Sequence, residues 1–124
     1  MTPAVFGAVI CAIGVGMGAF GAHAISKILS SEAQAWWSTA TEYLWYHGLG
    51  CLALGRLPYD PRIQKAVASA LLPGILLFSG SLYLYAFTGW RPFGMITPIG
   101  GTLLLIGWVW LAFVLKRNQT VTKM

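Results

Sequence analysis

Three long stretches without any charged residue dominate this chain of 124 residues. The first covers residues 1–26, a second of 25 residues separates Lys65 from Arg91, and a third of 24 residues separates Arg91 from Lys116. Each is long enough to span a membrane, because about 20 mainly apolar residues in a helix cross the hydrocarbon core of a bilayer. Backbone groups find no water there, so the spans are predicted to be α-helices.

The composition excludes an ordinary soluble domain and a disordered tail. Of all residues, 57% are hydrophobic and only 9% are charged, whereas soluble proteins carry about 25% charged residues. The net charge of +5 would favour nucleic-acid binding in a soluble chain. Here the charges lie at the edges of apolar stretches, so we expect the lipid bilayer, and no nucleic acid, as a partner.

A fourth apolar segment, at about residues 35–57, is interrupted by Glu42 and is counted as a span with one costly residue. The fold class is therefore predicted to be all-α, an integral membrane up-down four-helix bundle in a single domain, residues 1–124. Its helices are expected at about residues 4–26, 32–57, 61–87 and 97–116.

Helix boundaries are marked by capping residues and prolines. The predicted helix starts are a capping box of Ser31 with Gln34 before the second helix, Asp60-Pro61 before the third, and Thr97-Pro98 before the fourth. Pro73 lies inside the third helix and is predicted to bend it.

The distribution of lysine and arginine predicts the orientation. Six of these residues flank the spans on one side and two on the other: Arg56, Arg62, Lys65, Lys116, Arg117 and Lys123 against Lys27 and Arg91. Positive residues favour the cytoplasmic side, so both termini are predicted to be cytoplasmic, in a multi-pass protein of a plasma membrane. Trp36, Trp37 and Trp90 would then anchor the outer boundary and Tyr59 the inner one.

Small residues recur along one face of the first helix. Spacings of three and four residues separate the successive members of the series Ala4, Gly7, Cys11, Gly14, Gly18 and Gly21. Gly14 and Gly18 form a G-x-x-x-G pattern. Small residues allow helix backbones to approach closely in lipid. We interpret this stripe as a helix-packing face.

Polar residues at membrane depth are costly, so they are candidates for function. The predicted topology places one group in the outer half of the membrane as a candidate polar site: His23, Tyr43, His47, Ser79, Ser81 and Thr97. Three interpretations stay open. The group forms interhelical hydrogen bonds, or binds or passes a proton, ion or small polar solute, or forms a catalytic or metal centre.

Glu42 does not fit this group. It lies five residues before His47, about 140° away around a helix that turns 100° per residue. The two side chains are not expected to bind one ion. Glu42 is expected to pair with His23 or Lys27, to be protonated, or to face an oligomer partner.

The polar positions lie in short motifs that follow one another along the chain, at least one in each predicted helix. They are Gly18-Ala19-Phe20-Gly21-Ala22-His23, Thr39-Ala40-x-x-Tyr43-x-x-x-His47, Phe78-Ser79-Gly80-Ser81-Leu82-Tyr83, Thr97-Pro98-Ile99-Gly100-Gly101 and Gly107-Trp108. Nearly the whole chain resembles the YgdD-like family of small inner-membrane proteins, a family of unknown function. The resemblance implies a four-helix protein of the bacterial plasma (inner) membrane and no established activity, substrate or cofactor.

The chain contains no H-E-x-x-H, nucleophile-elbow, C-x-x-C or phosphate-loop motif. We therefore expect no enzymatic activity, no cofactor and no metal. The predicted function is that of an accessory or scaffold subunit in a larger membrane assembly, with a membrane-protein partner or a second copy as the binding partner. The alternative is a small transporter or channel that uses the polar site.

Overall fold

The computed structural model describes the backbone of residues 2–123 and the side chains of residues 2–119. This part of the chain contains four long helices. They are α1 (Pro3–His23), α2 (Ser31–Leu54), α3 (Pro61–Thr88) and α4 (Arg91–Lys123). A short 3₁₀ turn, Ile25–Lys27, lies between α1 and α2.

Three helical segments are long and apolar enough to cross a membrane: Pro3–Lys27, Pro61–Thr88 and Arg91–Gln119. The α2 helix has 24 residues, enough length for a span at about 1.5 Å per residue. It is less apolar than the others, and it carries both Glu32 and Glu42. Its length thus fits the predicted fourth span, but its composition alone does not establish one.

The α1 and α2 helices pack closely and antiparallel. A Cβ atom on Gly7 would lie 2.5 Å from the carbonyl oxygen of Gly48, near the end of α2. A Cβ atom on Gly21 would lie 2.5 Å from Nε1 of Trp37, near the start of α2. Gly14 and Gly18 face α2 between these points. The four glycines singled out in the sequence therefore all lie at the α1–α2 contact.

The α3 and α4 helices form a second close antiparallel pair. A Cβ atom on Gly100 would clash with the backbone nitrogen of Phe78, and one on Gly107 would lie 2.7 Å from a methyl group of Leu71. The α2 helix packs against α3, so extensive contacts join consecutive helices. The largest fully buried side chains are Ile25, Leu71, Ile75, Leu111, Cys51 and Ser79.

The predicted start of the last helix at Thr97 was wrong. The α4 helix begins six residues earlier, at Arg91. Gly89 ends α3 with a positive φ of 68°, and its N–H donates to the carbonyl oxygen of Tyr85 at 2.8 Å. The new helix begins two residues later, and Pro98 lies inside it. Proline inside a membrane helix is tolerated when neighbouring helices support the backbone, so this proline did not mark a boundary.

The start of α2 is also shifted from the prediction. Ser30, not Ser31, is the N-cap, and its side chain accepts a hydrogen bond of 3.2 Å from the N–H of Ala33. The amide of Gln34 donates to the carbonyl oxygens of Ser26 and Leu29 instead of closing a capping box. Gln34 thus joins α2 to the preceding turn.

The predicted start of α3 is confirmed. Asp60 is the N-cap, its carboxylate accepts from the N–H of Arg62 at 2.9 Å, and Pro61 occupies the first turn. A π-helical turn, Val67–Leu71, interrupts the α-helical pattern shortly before Pro73. Such wide turns accompany bends in helices, and this one lies close to the bend predicted from the proline.

Candidate functional site

His47 is the most buried of the ionisable candidate residues, with 6% of its surface exposed. Its Nδ1 lies 2.8 Å from the carbonyl oxygen of Tyr43, one turn earlier in α2. Its Nε2 lies 3.0 Å from the indole Nε1 of Trp108 in α4. An indole N–H only donates, so Nε2 accepts and Nδ1 carries the proton that is donated to Tyr43. The contacts fix a neutral imidazole whose two nitrogens are both occupied.

Tyr43 contributes packing as well as this carbonyl group. Its ring lies against Phe78 of α3, with centroids 4.3 Å apart, and is stacked near His47 at 6.0 Å. Tyr43 therefore supports the position of His47 from within α2 and lies between α2 and α3.

Two hydroxyl groups of α3 bond to α2. The Ser79 hydroxyl, which is buried, donates to the carbonyl oxygen of Ala40 at 2.8 Å. The Tyr83 hydroxyl lies 2.7 Å from that of Thr41, which itself donates to the carbonyl oxygen of Trp37 at 2.9 Å. The single proton of Thr41 is thus used, so Tyr83 is the donor between the two helices.

Ser81 and Thr97 join α3 to α4. Their hydroxyl oxygens are 2.6 Å apart. The Ser81 hydroxyl also lies 3.0 Å from the carbonyl oxygen of Phe78, one turn earlier in the same helix. Thr97 is therefore an interhelical contact in the second turn of α4 and not the helix cap that the sequence indicated.

His23 is separate from the other five candidates. It is the last residue of α1, its side chain is exposed, and it makes no hydrogen bond to any of them in the described structure. The six residues therefore do not converge on one centre. Four of them, His47, Ser79, Ser81 and Thr97, use their side chains to bond to a neighbouring helix.

None of the six residues lines either of two cavities that lie in the described part of the chain. The smaller, of about 140 Å³, lies at the turn between α2 and α3. The larger, of about 440 Å³, is a groove between α1 and α2. The groove is lined by Gly18, Gly21, Ala22, Ile25 and Ser26 on the α1 side and by Gln34, Trp37, Ser38, Thr41, Glu42 and Trp45 on α2.

Glu42 lines this groove, and its carboxylate makes no hydrogen bond or ion pair with the residues that the structure describes. Its side chain is exposed. The expected pairing with His23 or Lys27 is therefore absent here.

Trp37 is not a boundary anchor, contrary to the sequence interpretation. It is 7% exposed, and its indole N–H donates to the carbonyl oxygen of Met17 at 2.9 Å. It packs edge-on against Tyr83, with centroids 4.6 Å apart. Trp37 thus connects α1 to α3, whereas Trp90 and Tyr59 are 60% and 78% exposed, as an interfacial anchor requires.

Comparison with known proteins identifies the family. Residues 17–101 match the family described as "Protein of unknown function (DUF423)". This match covers more than half of the chain. The chain belongs to the DUF423 family.

Relatives in the DUF423 family match over most of their length. A membrane protein of Staphylococcus saprophyticus is 45% identical over 108 residues, covering 86% of this chain and 90% of the relative. A membrane protein of Haemophilus influenzae is 46% identical over 108 residues, with coverage of 86% and 87%. The inner membrane protein YgdD of Escherichia coli is 38% identical over 122 residues, with coverage of 92% and 91%.

These relatives and the apolar helices place this DUF423 protein in the bacterial plasma (inner) membrane as a multi-pass protein. The resemblance to the YgdD-like family is confirmed. No solved structure matches the chain.

Sequence reasoning missed the partners of the polar residues. Trp108 is part of a short sequence motif but is not among the candidate site residues, yet it bonds to His47. Thr41, which bonds to Tyr83, was not selected at all. Both lie at positions whose direction depends on how each helix is rotated about its axis, which hydropathy does not reveal. Glu42 was visible as the one charge inside an apolar segment, and it lines the larger groove.

Proposed function

We propose that this protein is a non-catalytic accessory or scaffold subunit of a larger assembly in the bacterial plasma membrane. The observation that carries the proposal is the division of small residues on α1 between a buried face and an exposed face. One stripe, which includes Gly7 and Gly14, is buried against α2. A second stripe lies on the opposite side of α1 and is exposed: Ala8, Ala12, Gly16 and Ala19.

The exposed stripe has the spacing of a helix-docking face. Ala12 and Gly16 are four residues apart, and a Cβ atom on Gly16 would meet nothing within 4 Å. In lipid, small residues at this spacing let a second helix approach closely, and packing contacts drive the association. The occupant we propose is a transmembrane helix of another membrane protein.

The internal hydrogen bonds also support a structural role. Polar side chains that were candidates for a solute path, such as His47, Ser79 and Thr97, are bonded between helices. Polar groups act as interhelical fasteners in membrane proteins. The alternative of a transporter or channel is less well supported, because these residues line neither cavity.

Co-purification of matched variants from native expression levels tests this proposal. Ala12→Leu with Gly16→Leu adds bulk to the exposed stripe, whereas Val9→Leu adds one methylene group on the same exposed side of α1. The double variant is expected to lose a partner that the wild type and Val9→Leu retain in mild detergent. Its melting temperature should stay close to that of the wild type.

Two results contradict the proposal. One is a wild-type protein that is extracted only as a free monomer. The other is a partner that the double variant retains as well as the wild type does. A partner identified as a second copy of the chain would make the assembly a homo-oligomer and would replace the proposed hetero-assembly.

We also propose that all four helices cross the membrane as an up-down bundle with both termini in the cytoplasm. The α2 helix lies antiparallel to α1 from Gly7 to Gly21, so it occupies the same layer as a helix that is apolar enough to span. The excess of lysine and arginine beside the α2–α3 turn and in the C-terminal segment supports the orientation.

A further inference from the structure

We propose that the groove between α1 and α2 is a binding site for an organic ammonium group attached to an apolar body. The groove has a volume of about 440 Å³, within the usual range of small-molecule sites. This inference is independent of the scaffold role, because it concerns a cavity on the α2 side of α1 and not the exposed stripe opposite. It rests on the proposal that α2 crosses the membrane.

The charge of the groove favours a cation. Glu42 supplies the only formally charged side chain among the residues that line it. Gln34 and Ser38 add neutral oxygen atoms, whose partial negative charge also attracts a cation without N–H groups; the described bonds of Gln34 use only its NH₂ group. The lining thus offers a carboxylate and neutral oxygen atoms to a positive group, and no lysine, arginine or histidine is among the lining residues.

A bound cation would neutralise the unpaired carboxylate of Glu42. Glu42 lies near the middle of Ser31–Leu54 and has no partner among the described residues. An isolated carboxylate at membrane depth is costly, and such residues usually face a cavity or pair with a countercharge. The groove is that cavity, so a bound cation would provide the missing partner.

The aromatic and apolar walls favour an organic cation over a metal ion. Trp37 and Trp45 line the groove on either side of Thr41. The ring of Trp37 is buried, so Trp45, which is half-buried and covers Gly14 of α1, is the indole that a ligand can contact. Indole rings attract ammonium groups. The described residues contain no group of three or more histidine, cysteine, aspartate or glutamate side chains that could hold a metal ion.

Small residues on α1 leave room for the apolar body of the ligand. Gly18 and Ala22 form part of the groove wall, and a Cβ atom on Gly18 would meet only a methyl group of Thr41, at 3.6 Å. An ammonium group would lie at Glu42, while its hydrocarbon portion would contact the surface of α1.

The test is a calorimetric titration of the purified full-length protein in a non-ionic detergent with benzyltrimethylammonium. Neopentylbenzene, in which carbon replaces the charged nitrogen, is the neutral control of the same shape. We expect saturable binding of the ammonium compound, with an affinity at least about tenfold higher than that of the neutral compound.

Two glutamate-to-glutamine variants test where the ligand binds. Glu42→Gln removes the charge in the groove, and Glu32→Gln removes a charge from an exposed position in the first turn of α2, outside the groove. We expect Glu42→Gln to lose about tenfold in affinity and Glu32→Gln to bind like the wild type. Glu42 has no partner to lose, so its variant should fold, and the melting temperature checks this.

The proposal is overturned if no saturable binding occurs, if the neutral compound binds as tightly, or if Glu42→Gln leaves the affinity unchanged. The comparison of the two ligands on the wild type needs no variant and stays decisive if a variant misfolds. A titration in nanodiscs then separates two sources of the ammonium group. Competition by phosphatidylethanolamine, but not by phosphatidylglycerol, would identify a lipid headgroup as the source. Binding unaffected by either lipid would exclude these headgroups and favour a free amphiphilic amine.

Discussion

The indole N–H of Trp108 donates to Nε2 of His47 across 3.0 Å and joins α4 to α2. The same imidazole donates from Nδ1 to the carbonyl oxygen of Tyr43. Nε2 therefore has no free lone pair for a metal ion, and neither a backbone carbonyl group nor an indole N–H exchanges protons readily with an imidazole. The contacts of this buried histidine thus agree with a structural role.

Removing this donor should destabilise the protein. Trp108→Phe leaves Nε2 of His47 without its partner, and we expect a loss of about 1 kcal/mol in the free energy of unfolding. Trp90→Phe, at a position that is 60% exposed, is the matched control and should have little effect. Equilibrium unfolding in mixed detergent and SDS micelles measures both.

A double-mutant cycle separates the hydrogen bond from lost packing. Trp108→Phe and His47→Ala should be coupled by about 0.5–1 kcal/mol. Strictly additive effects would show that the two side chains do not stabilise each other.

Two glycines on one helix should respond in opposite ways to the same substitution. Gly7→Ala places a methyl group against the backbone of α2, 2.5 Å from the carbonyl oxygen of Gly48. Overpacking of this kind costs about 1–3 kcal/mol. Gly16→Ala meets no atom within 4 Å and should be neutral or stabilising by up to about 1 kcal/mol. Melting temperatures in detergent measure the difference, and equal effects would refute the close α1–α2 approach.

The carboxylate of Asp60 should make the stability of the folded protein depend on pH. The side chains of Arg62 and Asn118 bond to its carboxylate and hold the pKa of Asp60 well below its ordinary value of 3.8. A depressed pKa means that this contribution is complete above the ordinary pKa and is lost as the pH falls towards the depressed one. Asp60→Asn should therefore be less stable than wild type at neutral pH.

The difference in stability between the wild type and Asp60→Asn should shrink once the pH falls below 3.8. Protonation of Asp60 lowers the stability of the wild type there, whereas the asparagine variant has no carboxylate at this position to protonate. Melting temperatures of both proteins at neutral pH and at about pH 3 give the comparison. A gap that stays constant with pH would mean that the ionised carboxylate does not connect the start of α3 with α4.

The orientation can be read from two exposed positions. Tyr59 lies in the α2–α3 turn and Trp90 in the α3–α4 turn, and they are 78% and 60% exposed. In a background without Cys11 and Cys51, a membrane-impermeant maleimide should label Trp90→Cys in spheroplasts. It should label Tyr59→Cys only after permeabilisation, and the reverse pattern would invert the topology.

The sequence predicted the helices better than their exact ends. Charge-free runs and the Asp60-Pro61 cap locate α3 because both signals depend on local chemistry. Thr97-Pro98 gave a wrong start for α4, because the sequence does not distinguish a proline in the first turn of a helix from one inside a membrane helix. The deciding signal was Gly89, whose positive φ ends α3 and leaves only a short turn before α4.

The candidate polar site was only partly predictable, for a geometric reason. Hydropathy gives the depth of Ser81 and Thr97, and the structure does bring their hydroxyls together. Hydropathy does not give the rotation of each helix about its axis. It therefore could not pair His47 with Trp108 or separate His23 from the other candidates. The groove beside Glu42 depends on the gap between two helices, which no single-helix pattern contains.

In-cell photo-crosslinking from position 9 tests the proposed scaffold role most directly. A photoreactive residue in place of Val9, which is 45% exposed, lies on the same side of α1 as the exposed stripe and leaves its small residues intact. The control is the same residue in place of Leu105, which is 66% exposed on α4. We expect a discrete adduct with another membrane protein from position 9 and none from position 105. No adduct at position 9, or the same adducts from both positions, would contradict the proposed role.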